Sequence, residues 1–149
     1  MFNLQQIESD AKILYLSLCK QHKINPLLLT IKTRVQEDGD KGGYDGNKIE
    51  IFIHQNDSID DIMFSVKHEF RHHWQDVYHH DVCEWWRKNY RLYEALARNE
   101  KLNGFCFLEI DANYFAMHLK SHPDFDKIFS IDYLNQLKDK AVSSGFLVG

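Results

Sequence analysis

The chain has 149 residues, of which 44% are hydrophobic and 27% charged, the size and balance of one globular domain spanning residues 1–149. This balance excludes a chain that is disordered throughout, and the formal net charge of −4 argues against phosphate binding by the whole surface. The apolar runs, such as Leu27–Leu29 and Ile51–Ile53, are too short for a membrane-spanning helix.

The first third of the chain contains one helical pattern and two strand patterns. Apolar residues recur at three- and four-residue steps over residues 4–18, which predicts an amphipathic helix that ends before Asn25-Pro26. A period of two from Leu29 to Val35, and again from Lys48 to His54, predicts two strands with one buried face each. The glycine-rich residues 36–47 predict an exposed loop. We expect the strands to pair as an antiparallel hairpin, although a loop of this length leaves room for another arrangement.

The rest of the chain is predicted to be helical. Ser58, followed by Asp60 and Asp61, is typical of a helix N-terminus. An apolar stripe continues this helix through Ile59, Ile62, Met63, Val66, Phe70, Trp74 and Val77. Further helices are expected near residues 83–101, 105–120 and 133–141, with Gly104 and Pro123 as breaks. The predicted fold class is therefore α+β, with a small antiparallel sheet packed against several helices.

Two of the nine histidines belong to a pattern typical of metal sites. Residues 68–72 read H-E-F-R-H, an H-E-x-x-H sequence on a predicted helix. Histidines four residues apart lie on one helix face, so the imidazoles of His68 and His72 can bind one metal ion. Glu69 is turned by about 100° from His68, where its carboxylate can reach a water without binding the metal. The alternative is a pair of solvated or core histidines, but the His68/His72 face points away from the apolar stripe.

A catalytic zinc ion needs a third protein ligand and one open position. Glu109 lies in the predicted helix 105–120 and shares a face with Ala112, Asn113 and Ala116. The small alanines would let this helix approach the helix of His68 and His72 closely. Glu109 is then the candidate third ligand, and Asn113 would hydrogen-bond a ligating histidine. The alternative is an ordinary packing seam with Glu109 in solvent.

Other residues are weaker candidates. A metzincin would have a histidine six residues after His72, where this chain has Tyr78, whereas a zincin similar to the SprT group would use a downstream histidine. The remaining possibilities are His73, His79, His80, His118 and His122, with His79 expected at a wall or surface and His73 off the metal face. The aromatic and basic segment from Trp85 to Arg91 would suit base stacking, but aromatics at helical spacing are more often core, and the acidic charge argues against nucleic acid.

Three segments carry a resemblance to a known family. They are G-G-Y-D-G-N-K-I-E-I-F-I, F-S-V-K-H-E-F-R-H and E-I-D-A-N-Y-F-A, in this order over roughly residues 43–117. Their order resembles the ImmA/IrrE group of small gluzincin metallopeptidases, which have a strand, an H-E-x-x-H helix and an E-x-E-A-N-x-F-A-like helix. The resemblance implies a zincin-like fold, Zn²⁺ held by His68, His72 and Glu109, Glu69 as general base and proton shuttle, and cleavage of a repressor protein. The chain departs from the family after Ala116, so the substrate does not follow from the resemblance.

The expected function is that of a zinc-dependent metallopeptidase, an endopeptidase acting on a protein or peptide such as a transcriptional repressor. Zn²⁺ would acidify a water, and Glu69 would take its proton and pass it to the leaving amine. The strand from Ile49 to His54, if it lies at a sheet edge, would pair with an extended substrate. One alternative is a non-catalytic zinc-binding regulatory or interaction protein. Another is a helical interaction protein that binds no metal and contacts nucleic acid through Trp85 to Arg91.

The cysteines and the N-terminal residues bear on the cellular compartment. Cys19, Cys83 and Cys106 are odd in number and form no C-x-x-C pair, which argues against a disulfide framework or a cysteine-rich zinc site. The first residues contain neither a basic leader nor a long apolar segment, so no secretory signal is expected. We therefore expect a cytoplasmic protein with no membrane partner.

Overall fold

The computed structural model describes residues 3–33, 41–54, 56–92 and 106–145. These residues form six helices and three strands. The helices are α1 (Leu4–Gln21), α2 (Ile59–Tyr78), α3 (His80–Lys88), α4 (Phe107–His118), α5 (Phe125–Ile128) and α6 (Ile131–Ser143), and the strands are β1 (Leu28–Thr33), β2 (Gly42–Tyr44) and β3 (Lys48–Ile53). The α+β class predicted from the sequence is confirmed.

The helices form where the sequence predicted them, with shifted ends and one addition. The helix expected over 83–101 begins earlier, as α3, which ends at Lys88, and residues 90–92 are again helical. Residues 93–101 lie outside the described part of the chain, as do residues 34 and 35 of the first predicted strand. The short α5 was not predicted. The cap at Ser58 is confirmed, because its Oγ accepts a hydrogen bond from the Asp61 backbone while the Asp61 carboxylate accepts one from the Ser58 backbone.

The sheet is mixed rather than antiparallel, with the strand order β1-β3-β2. The two predicted strands correspond to β1 and β3. The prediction that they pair as an antiparallel hairpin is wrong, because β1 runs parallel to β3, with Leu29 opposite Ile49. The glycine-rich segment, expected to be only a loop, contributes β2, which pairs antiparallel with β3. The hairpin is therefore formed by β2 and β3, and Gly46, with a φ of 91°, permits its tight turn. This pairing places β3 in the centre and leaves β2 at one edge.

The long helix α2 lies at the centre of the packing, against α1, β2, β3 and α4. Its middle turns bury Ile62, Val66 and Phe70 against α1 and the sheet, but Ile59 and Val77 are exposed, contrary to the predicted stripe. A second apolar cluster joins α3, the start of α4 and α6.

Among the helices in the described ranges, none combines the length and apolar character that crossing a membrane requires.

Candidate metal centre

Two helices bring three metal-binding side chains together. His68 and His72 are one turn apart on α2, and Glu109 lies in the first turn of α4, which packs against α2. The Nε2 atoms of the two histidines are 3.1 Å apart. Glu109 places Oε2 at 3.0 Å from Nε2 of His68 and Oε1 at 3.0 Å from Nε2 of His72. The expected proximity of Glu109 to both histidines is therefore present.

These donor atoms suit a zinc ion in kind and in spacing. Zinc in proteins is bound by imidazole nitrogens and carboxylate oxygens at about 2.0–2.1 Å, which in a tetrahedral site puts neighbouring donors roughly 3.3 Å apart. The two imidazole nitrogens are 3.1 Å apart, and each lies 3.0 Å from a different oxygen of Glu109, so the distances between neighbouring donor atoms are close to this value. Within the described residues, this is the only group of three or more such side chains with ligand atoms close enough to share an ion.

The electrostatics of the site couple Glu109 to the two histidines. Burial alone would raise the pKa of the Glu109 carboxyl, but the hydrogen bonds from His68 and His72 outweigh burial and hold the pKa well below its usual range. For His72, burial lowers the pKa, and the attraction of Glu109 more than reverses that effect. Glu109 is thus held as a carboxylate, the form that a cation binds.

Glu69 lies beside this group without being part of it. Its side chain is buried, and Oε1 is 3.9 Å from Nε2 of His68. A Cβ added at Gly42 would lie 3.3 Å from Cγ of Glu69, so the edge strand β2 packs directly against this side chain. The carboxylate is therefore held at the margin of the three donor residues, and a carboxylate can accept a proton.

The residues that orient His72 were missed by the sequence analysis. Gln75 Oε1 lies 2.9 Å from His72 Nδ1, and the amide of Gln75 also contacts Asp111, which forms a buried ion pair with Arg71. Asn113, which was expected to bond a ligating histidine, is exposed, and the partner of His72 Nδ1 is Gln75 instead. The available signal was the four-residue spacing of Arg71 and Gln75, which puts two polar groups on one helix face.

The other histidines are engaged elsewhere. His73 is buried, with its Nδ1 3.0 Å from the hydroxyl of Tyr15, and thus lies off the metal face as predicted. His79 packs among aromatic rings, and His80 contacts Asp76. His118 and His122 pack against the Tyr114 ring.

The aromatic residues at the start of the proposed base-stacking segment belong to the core. Trp85 and Trp86 are 9% and 4% exposed and form part of the second apolar cluster. Their ring faces are therefore covered by protein, as the core interpretation of this segment predicted.

A cavity of about 390 Å³ adjoins the candidate metal centre. His72 and Glu109 form part of its wall, together with Tyr44, Trp86 and Leu108. A substrate side chain in this cavity would lie next to two of the three donor residues.

Comparison with protein-family models, with curated proteins and with solved structures finds no match for this chain. The resemblance to the ImmA/IrrE group is thus carried by the sequence motifs alone.

Proposed function

We propose that the protein is a zinc-dependent metallopeptidase of the ImmA/IrrE-like gluzincin type that hydrolyses peptide bonds. The observation that carries this proposal is the meeting of His68, His72 and Glu109 at 3.0 to 3.1 Å, with the Glu69 carboxylate beside them. A purely structural zinc site has no use for a carboxylate held beside the ligands. The metal ligands would therefore be His68, His72 and Glu109, and Glu69 would be the catalytic residue.

Zinc bound there would supply a Lewis acid that polarises the scissile carbonyl and acidifies a water. Glu69 would accept the proton of that water as it attacks the carbonyl carbon. The same carboxyl would then give the proton to the leaving amine, so the base is regenerated after each cleavage. The buried setting of Glu69 favours this exchange, because few water molecules compete for the proton.

An extended peptide would bind along β2. The strand from Ile49 to His54 would pair with a substrate only if it lay at a sheet edge, but β3 is the central strand, and β2 is the edge strand that lies beside Glu69. Backbone pairing with β2 would guide the peptide past Glu69. The cavity beside His72 and Glu109 would receive one of its side chains.

The proposed substrate is a cytoplasmic protein such as a transcriptional repressor. This part of the proposal comes from the family resemblance. The three cysteine thiols are free and buried, which supports a reducing compartment.

Three variants test the proposed function. Glu69→Gln should keep about one zinc per chain and lose cleavage, whereas His72→Ala and Glu109→Ala should lose the zinc as well. His80→Ala is the control, because His80 is exposed and outside the group of three donors. Zinc is measured by elemental analysis after zinc-replete expression, and cleavage by mass spectrometry of a mixed peptide library. Wild-type protein without zinc contradicts the metal site, while bound zinc without cleavage supports the non-catalytic alternative.

A further inference from the structure

The fully buried side chain of Gln75 lies between the two helices that carry the candidate ligands. Its Oε1 is 2.9 Å from Nδ1 of His72 on α2. Its Nε2 donates to the backbone oxygen of Leu108 at 2.9 Å and to Oδ2 of Asp111 at 3.0 Å, both on α4. A single amide therefore contacts one metal-binding residue directly and the backbone immediately before another, Glu109.

The surroundings of Gln75 determine which way its amide points. Leu108 and Asp111 both present acceptor oxygens, so the NH₂ group must face them and the carbonyl oxygen must face His72. His72 then donates from Nδ1 to this oxygen, so the proton on Nδ1 is retained and Nε2, which faces His68 and Glu109, is the nitrogen left for a metal ion. This is the form of imidazole that binds a metal ion.

Asp111 is itself held in place by its neighbours. Arg71 donates to it from Nε at 2.7 Å and from Nη2 at 3.2 Å, and the backbone of His122 donates to it at 3.2 Å. The Arg71 guanidinium also lies 3.7 Å from the centre of the Trp74 ring. The acceptor that orients Gln75 is thus fixed by a buried ion pair, and it cannot turn away to free the amide.

We infer that Gln75 is a positioning residue with two tasks: it selects the metal-binding form of His72, and it ties the backbone next to Glu109 to the same helix face. This inference rests on the proposed zinc site. If both tasks matter, a side chain that can only accept a hydrogen bond from His72 is insufficient at position 75. The NH₂ group of the amide is also needed, because it donates to α4.

Two substitutions of Gln75 separate these tasks. Gln75→Leu removes both, and zinc affinity should fall about 10- to 100-fold, the usual effect of losing a partner of a ligating histidine. Gln75→Glu keeps an acceptor for His72 but sets a carboxylate against Leu108 O and Asp111, so zinc affinity should fall as well.

The measurements are zinc affinity, by competition with a chromogenic chelator, and the protonation of His72 Nδ1, by ¹⁵N NMR of the zinc-loaded wild type and variants. Tyr15→Phe is the matched control, because it removes the partner of the Nδ1 atom of His73, a neighbouring histidine on the same helix, and should leave zinc affinity within about twofold of wild type. Unchanged affinity in Gln75→Leu or in Gln75→Glu overturns the positioning role alone. Wild-type protein that binds no zinc overturns the proposed metal site, and this inference with it.

Discussion

Gly42 in β2 and Glu69 in α2 are in direct contact, and the contact leaves no room for a side chain at position 42. A Cβ at Gly42 would lie 2.7 Å from the backbone oxygen of Glu50 and 3.3 Å from Cγ of Glu69. The first distance is shorter than real Cβ contacts, and the atom it meets is backbone in the central strand. The absence of a side chain at this position therefore lets the edge strand lie against the proposed general base.

Gly42→Ala should accordingly destabilise the protein by about 1 to 3 kcal/mol, the typical effect of overpacking, and reduce any peptidase activity by displacing Glu69. Gly43→Ala is the matched control, since among the described residues nothing lies within 4 Å of the added methyl group. The free energy of unfolding of both variants is measured by urea denaturation. Equal stability of the two variants would contradict the close approach at Gly42.

Arg71→Leu should be one of the most damaging single changes in the chain. It leaves the fully buried Asp111 carboxylate without its ion-pair partner, and breaking such a pair costs about 3 to 5 kcal/mol. Arg87→Leu is the comparison, because Arg87 pairs with Glu84 on the surface, where ion pairs contribute about 0 to 1 kcal/mol. Urea midpoints of both variants, measured without zinc, test the difference. A small effect at Arg71 would mean that Asp111 is not buried as the structure shows.

Bound zinc should stabilise the folded protein, in addition to its proposed role in peptide hydrolysis. A ligand present at 100 times its dissociation constant stabilises the folded state by about 2.7 kcal/mol, which for a chain of this size raises Tm by roughly 5–10 °C. Adding EDTA should lower the Tm of zinc-loaded wild-type protein by that amount and leave the Tm of His72→Ala unchanged. Differential scanning calorimetry provides the measurement. An EDTA effect of equal size in both proteins would show that the metal binds elsewhere.

His79 should make the fold sensitive to mild acid. Its ring packs against Trp74, Phe125 and Phe129, and burial among these rings lowers its pKa, while Arg71 lowers it further and Asp81 and Asp111 act in the opposite direction. Because the folded-state pKa is below the unfolded value of about 6.5, the unfolded chain binds the proton first as pH falls. The stability that neutral His79 contributes is therefore complete above about pH 6.5 and is lost as pH falls through the folded-state pKa.

The variant His79→Phe keeps the aromatic packing and removes the titrating group. Wild-type protein should lose more stability than His79→Phe between pH 7.5 and 5, as measured by urea denaturation at each pH. Comparing the two proteins cancels contributions from other groups, including His22, whose pKa is also lowered by burial and by Arg71. Parallel stability curves for the two proteins would contradict the prediction.

Local sequence patterns were sufficient to predict most of the helices and the part of the candidate site that lies on α2. The cap at Ser58 and the apolar spacing of Ile62, Val66 and Phe70 predicted α2, because a helix makes its hydrogen bonds and its first packing contacts between near neighbours. The pairing of the strands was not predictable in the same way. An alternating pattern identifies a buried face but not the neighbouring strand, and the short β2 within a glycine-rich segment carries almost no pattern of its own.

By itself, the sequence determined that His68, Glu69 and His72 present their side chains around one turn of one helix, because helical geometry is the same in every fold. Only the tertiary structure decided that Glu109 meets both imidazoles, that β2 lies against Glu69, and that Gln75 contacts both His72 and α4. Gln75 and Asp111 are 36 residues apart in the chain, and their contact exists because α2 and α4 pack together. Such contacts depend on how whole elements fit against one another, and no spacing within a single element encodes them.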